Sequence, residues 1–171
     1  LDSDDWTSMS QETSDRWRRA NQLFVEAYRL HMAGDIDGAV ARYQESIASR
    51  PTAEAHTFLG WAFSFMDRLD DAIAECKKAI AVDPDFGNPY NDIGSYLLKQ
   101  GKLDEAIPWL DQAVHATRYE RRHYPHCNLG RIYWAKGMLI RAIAEFERAL
   151  ELDSTSRFAQ GALATIRQQL Q

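Results

Sequence analysis

The sequence predicts an all-α chain of stacked helix pairs, and three observations carry that prediction. First, apolar residues recur at helical spacing in paired runs. In HCNLGRIYWAKGMLIRAIAEFERALELDS, from His126 to Ser154, Leu129 and Tyr133 flank a notch at Gly130, and Ala142, Phe146, Ala149 and Leu150 stripe the next helix. Second, the notch returns as Ala27, Gly60, Gly94 and Gly130, and the first small residue of the second helix as Ala39, Ala72, Ala106 and Ala142, both at intervals of 33, 34 and 36 residues. Third, Gly34, Gly101 and Gly137, with Asp67 in the second copy, stand where each pair must turn. A single pair cannot bury both of its apolar stripes, so it needs neighbours.

Taken in order, residues 1–13 (LDSDDWTSMSQET) are acidic and rich in hydroxyls, with almost no apolar periodicity. They read as an acidic flexible N-terminal segment with Trp6 as its one anchor, ahead of a single domain over 14–171. Thr13 or Ser14 caps a helix carrying Trp17, Ala20, Leu23, Phe24, Ala27 and Tyr28, which Gly34 ends. Ile36, Ala39, Val40, Tyr43 and Ile47 pattern its partner, which stops at Pro51 and closes the first copy, 20–51. The second copy, 52–85, has Leu59, Gly60 and Phe63, then Leu69, Ala72, Ala79 and Ile80; Asp67 tolerates the positive φ of its turn at small cost.

The third copy, 86–119, has Tyr90, Ile93, Gly94 and Leu97, then Leu103, Ala106, Leu110 and Ala113. Pro108 falls about one turn into its second helix, where it costs little or bends the helix. Two extra residues lengthen the stretch ATRYERRHYPHC ahead of the fourth copy, 122–154. They gather Arg118, Arg121, Arg122 and His123 against one Glu120, which reads as a solvated turn. Residues 155–170 form a closing helix striped by Phe158, Ala162, Leu163, Ile166 and Leu170.

With 45% hydrophobic and 26% charged residues over 171, the composition is that of an ordinary globular protein. A net charge of −5 argues against nucleic acid and anionic membrane as partners. No apolar run approaches the ~18 residues of a membrane span. The chain opens on Leu with no apolar signal region, so it reads as a processed or truncated piece. Cys76 and Cys127 form no CxxC, so neither a disulfide framework nor zinc is indicated and a reducing, cytoplasmic setting is the default. Cys76 reads as a small buried hydrophobe, whereas Cys127 falls by helical phase on the open side of its helix. His123, His126 and Cys127 lie close in sequence, but Pro125 interrupts them and no fourth ligand is evident. With no phosphate loop, nucleophile elbow or zinc helix, the expectation is no enzyme, no metal and no cofactor.

The Leu-Gly-x-x-Tyr of 129–133, followed by the Ala-x-x-x-Phe of 142–146 at a period near 34, resembles the tetratricopeptide repeat, over about residues 20–154. The resemblance implies a right-handed α-solenoid of about four helix pairs with a C-terminal capping helix, serving as a non-enzymatic adaptor or scaffold. The first helices of such a solenoid line its concave side. That face carries Phe24, Tyr28, Phe58, Trp61, Phe65, Asn91, Asp92, Ser95, Tyr124, Asn128, Arg131 and Trp134, the expected peptide-binding groove, with His31 and Thr57 beside them. Its aromatics suit apolar side chains, and Asn91, Asn128 and Arg131 suit a peptide backbone or a carboxylate. Trp61→Ala is therefore expected to weaken capture of a partner and leave melting nearly intact. One subgroup of the family grips acidic chaperone tails with a Lys, Asn and Arg clamp. Here Phe24, Tyr28, Phe58, Asn88 and Asp92 occupy those positions, so the clamp is absent. The expected partner is a peptide segment of another protein. The alternatives are a chaperone-like role toward a secreted or membrane-bound client, and self-assembly into a homo-oligomer through the same face.

Overall fold

In a computed structural model, which describes residues 3–170 and their side chains from residue 11, every regular element is a helix. The chain divides into two compact units, Leu1–Pro84 and Asp85–Gln171, where the sequence suggested one domain. Repeat folds allow this, because each helix pair depends only on its immediate neighbours. The first unit holds α1 (Ser3–Met32), α2 (Ile36–Ser49), α3 (Ala53–Phe65) and α4 (Leu69–Val82). The second holds α5 (Asn88–Lys99), α6 (Leu103–His115), α7 (His123–Ala135), α8 (Leu139–Leu152) and α9 (Arg157–Gln169).

All four turns inside the pairs are built alike. Gly34, Asp67, Gly101 and Gly137 take φ of +86°, +58°, +76° and +71°. In each, the following N–H reaches back five residues: Asp35 to Leu30 O (3.0 Å), Arg68 to Phe63 O (3.0 Å), Lys102 to Leu97 O (2.9 Å) and Met138 to Tyr133 O (2.8 Å). These bonds occupy carbonyls that the ending helix leaves without partners, and they aim the chain into its antiparallel return. Asp67 therefore does the work of glycine.

Within a pair, the notch residue sets the approach. A Cβ at Gly60 would stand 2.9 Å from the Ala72 carbonyl oxygen and 3.2 Å from Cys76 Sγ; at Gly94 it would enter the Leu110 side chain, and at Gly130 it would meet the Phe146 ring edge at 2.7 Å. Cys76 is fully buried there, as a small hydrophobe should be. Pro108 lies inside α6 on its exposed side, so the missing N–H falls where water reaches the carbonyl it leaves open.

Two expectations are corrected and a third is refined. The first helix runs back to Ser3, through most of the stretch expected to be flexible; residues 1 and 2 and the Trp6 side chain lie outside the described residues. Residues 11–19 are exposed on every side, so no apolar stripe marks them, yet no Gly or Pro interrupts them. Pairs such as Glu12–Arg16 (2.7 Å) add about 0.3–0.5 kcal/mol each to a helix already nucleated by its packed end.

Cys127 is buried, not open. It packs with Phe146, Ala149, Ala159, Leu163 and Ile166 beneath α9, and burial pushes its thiol up. The closing helix covers the side of α7 that helical phase alone leaves free.

The link before α7 is solvated as expected, with Thr117, Arg118, Glu120 and Arg121 exposed, but it is also pinned. Arg118 N–H donates to Asp85 O and Gly87 N–H to Arg118 O, both at 3.0 Å. The Arg118 guanidinium lies 4.8 Å over Phe86, and Arg122 donates to Ala116 O (2.9 Å) and Tyr119 O (3.2 Å).

Candidate functional site

The first unit gathers seven rings. Phe24, Tyr28 and His31 of α1 meet Phe58, Trp61 and Phe65 of α3, with Tyr43 of α2 behind them. The contacts run mostly edge to face: Phe24–Phe58 at 5.3 Å, Tyr28–Phe58 at 5.7 Å, Phe58–Trp61 at 5.7 Å and Trp61–Phe65 at 5.5 Å between centroids. Such geometry adds about 0.5–1.5 kcal/mol per pair beyond the area buried. Phe65 (61% exposed) and Tyr28 (44%) still face water, and Phe24, Phe58 and Trp61 are half-buried.

Of the rings on α1 and α3, His31 lies deepest, 4% exposed, with Trp61 4.1 Å away and Phe65 edge-on at 5.2 Å. Neither of its ring nitrogens, nor the buried Tyr43 hydroxyl, has a partner among the described residues. Burial holds the imidazole below its usual range, so it is neutral at pH 7, and burial with Tyr28 nearby pushes the Tyr43 phenol well up. Thr57, expected on this face, is instead buried and donates to Ala53 O (2.7 Å). Trp61 is corrected as well. It roofs His31, so Trp61→Ala would remove core packing along with any ligand contact, and the nearly intact melting expected of it does not follow.

The second unit presents a polar face. Arg131 Nη1 donates to Asn128 Oδ1 (3.3 Å), Asn128 Nδ2 to Asn91 Oδ1 (3.0 Å) and Asn91 Nδ2 to Asp92 Oδ1 (3.4 Å). Asn91 is buried, so its amide is already committed and less available to a ligand than expected. Asp92 is deeply set yet still part-exposed, and burial pushes its carboxyl up to about 7 against a weak opposing bond from Asn91. Ser95 is half-buried on the same side of α5. Tyr124 is 43% exposed, lies against His123 at 4.1 Å and accepts from Arg121 (3.4 Å). Trp134 packs edge-on against Phe146 at 6.5 Å beside the core under α9, so much of its ring is structural. Arg131 lies 5.9 Å over Phe158. Among the residues weighed as metal ligands, His126 engages Glu145 (2.7 Å), His123 faces Asp153 (3.6 Å) and Cys127 is in the core.

Tetratricopeptide-repeat profiles match residues 24–85, 75–107 and 123–156. The chain belongs to the tetratricopeptide repeat family. A curated relative, the small glutamine-rich tetratricopeptide repeat-containing protein 2 of Mycosarcoma maydis, is 31% identical over 97 residues, which are 56% of this chain and 28% of the relative. The chain thus spans about a quarter of the length of the curated relatives it matches. Among solved structures, PilF of Pseudomonas aeruginosa superposes with a TM-score of 0.85 at 22% identity, over 91% of this chain and 70% of that one. The first tetratricopeptide domain of Spaghetti, bound to the HSP90 peptide SRMEEVD, gives 0.64 at 24% identity, over 69% and 92%. At these identities the likeness is one of fold, the all-α helix-pair fold of the tetratricopeptide solenoids.

Sequence reasoning missed Tyr43 and Tyr119. Tyr43 occupies the aromatic position of a repeat's second helix and reads as core; its ring also backs the rings of α1 and α3. Tyr119 lies in the lengthened link, which carries no helical phase to place it, and the structure buries it near Asp92.

Proposed function

We propose that this tetratricopeptide chain is a non-catalytic interaction module that binds a peptide segment of a partner protein on the faces of its first helices. The observation that carries this reading is the ring cluster of the first unit. Phe65 and Tyr28 stand in water beside Phe24, Phe58 and Trp61, forming a contiguous aromatic surface that a fold without a ligand has reason to avoid. A neighbour with the same fold holds a peptide, which supports peptide capture as the use of the surface. That peptide, SRMEEVD, is rich in acids, whereas this chain offers rings and Asp92, so its own ligand should carry apolar side chains in place of an acidic tail.

The test is selection of peptides from a random displayed library against the intact chain, followed by titration of Tyr28→Ala and Phe65→Ala. These two rings are the exposed members, so each variant should keep its melting temperature and lose roughly tenfold or more in affinity. Peptides that bind both variants as tightly as the parent would sink the reading.

A further inference from the structure

The polar face of the second unit leaves one charge unanswered. Asp92 has a single hydrogen-bond partner among the described residues, Asn91 Nδ2, at a long 3.4 Å. Behind Asn91 the donors run one way, from Arg131 through Asn128 and Asn91 toward the carboxylate, so the nearest cation of that relay stops two amides short. Arg121 reaches the Tyr124 hydroxyl only at a long 3.4 Å, and with Arg118 and Glu120 it lines the cavity that Asn88 and Tyr119 share. One turn to either side of Asp92 on α5 stand Asn88 and Ser95, neutral groups with acceptor oxygens. Burial pushes the Tyr119 phenol up, and the nearby Asp92 and Tyr124 add to this while Arg121 opposes it. A deep, part-exposed carboxylate flanked by neutral acceptors and the Tyr119 phenol matches a group with several N–H donors and a planar positive face.

We propose that Asp92, with Asn88, Ser95 and Tyr119 around it, is a subsite for a cationic side chain, an Arg or Lys of the bound segment. The proposal rests on the peptide-binding reading and adds the charge of the ligand. The net charge of −5 favours the approach of such a segment. Docking a guanidinium replaces the long Asn91 bond with charge-assisted ones and draws the carboxyl into its ionised form. Affinity should therefore rise about tenfold between pH 6 and pH 8.

The probe is N-acetyl-arginine methylamide, titrated into the intact chain with N-acetyl-norleucine methylamide as its neutral match, and read by carboxyl-carbon NMR of Asp92. The arginine probe should lower the Asp92 titration midpoint saturably, by roughly one unit. The norleucine probe should not, and Asp92→Asn should abolish saturable binding with its helical signal unchanged. An equal shift by both probes, no shift by either, or a large rise of the Asp92 midpoint in Arg121→Ala, which would reveal a resident internal cation, overturns the proposal. The two readings fail separately. Library peptides that depend on Phe65 but bind Asp92→Asn unchanged defeat the cation subsite alone. Saturable arginine binding at Asp92 with no library peptide captured supports the subsite and defeats the peptide reading alone.

Discussion

A single residue decides each turn. Gly137 has φ of +71° with nothing within 4 Å of where a Cβ would stand, while Gly161 has equal space but sits at ordinary helical angles inside α9. Adding the same methyl group at the two sites isolates backbone conformation from packing. Gly137→Ala should destabilise by about 1 kcal/mol, the cost of a left-handed alanine. Gly161→Ala should stabilise by up to about 1 kcal/mol, because alanine loses less freedom in a helix. Urea denaturation of both variants checks the opposite signs. Asp67, at +58°, shows the same backbone demand met by a side chain that tolerates it.

At the scale of the helix pair, the notches differ in what stands opposite them. The Gly130 notch faces the Phe146 ring, which a smaller side chain would vacate, whereas the Gly60 notch faces the Ala72 carbonyl, part of a helix backbone that cannot move alone. Gly130→Ala and Gly60→Ala should each cost about 1–3 kcal/mol. In double-mutant cycles, Gly130→Ala with Phe146→Leu should fall well short of the sum of the single losses. Gly60→Ala with Cys76→Ala should add to within about 0.5 kcal/mol, since the carbonyl remains. The notches and turns were legible in the sequence because they recur in register and each has one steric cause. The exposed stretch of α1 was not, because helix propagated from a packed end leaves no periodic mark. Cys127 was misplaced for a related reason: phase says which way a side chain points along α7, but α9 must dock before that side is covered. Phe65 and Tyr28 were legible as open face, whereas the depth of Trp61 and Asn91 depended on rings and amides from other elements.

Across the whole molecule, the surroundings of His31 and of Asp92 should answer pH with opposite signs. In the first unit, burial holds His31 below its ordinary 6.5, and the unfolded chain therefore binds its proton more readily. The stability this contributes is present above that value and is lost as pH falls below it. Glu75 adds a second loss of the same sign: although burial raises its pKa, the bonds from His56 (2.7 Å) and Lys78 (2.6 Å) outweigh that and hold it below 4.5, so its contribution fades only at lower pH. In the second unit, burial pushes Asp92 from 3.8 up to about 7, so the folded state binds the proton more tightly. That contribution is fully present below 3.8 and is lost as pH rises through about 7. Between pH 7.5 and pH 5, then, acid should loosen α1 and α3 around His31 while tightening α5 around Asp92. Native-state hydrogen exchange, corrected for intrinsic exchange rates, reads each helix separately. Protection of α1 and α3 should fall and that of α5 should rise across this range. His31→Phe should flatten the first trend and Asp92→Asn the second, each leaving the other unit's trend in place. Parallel trends in both units, or slopes that survive these substitutions, would show that the titrating groups lie elsewhere.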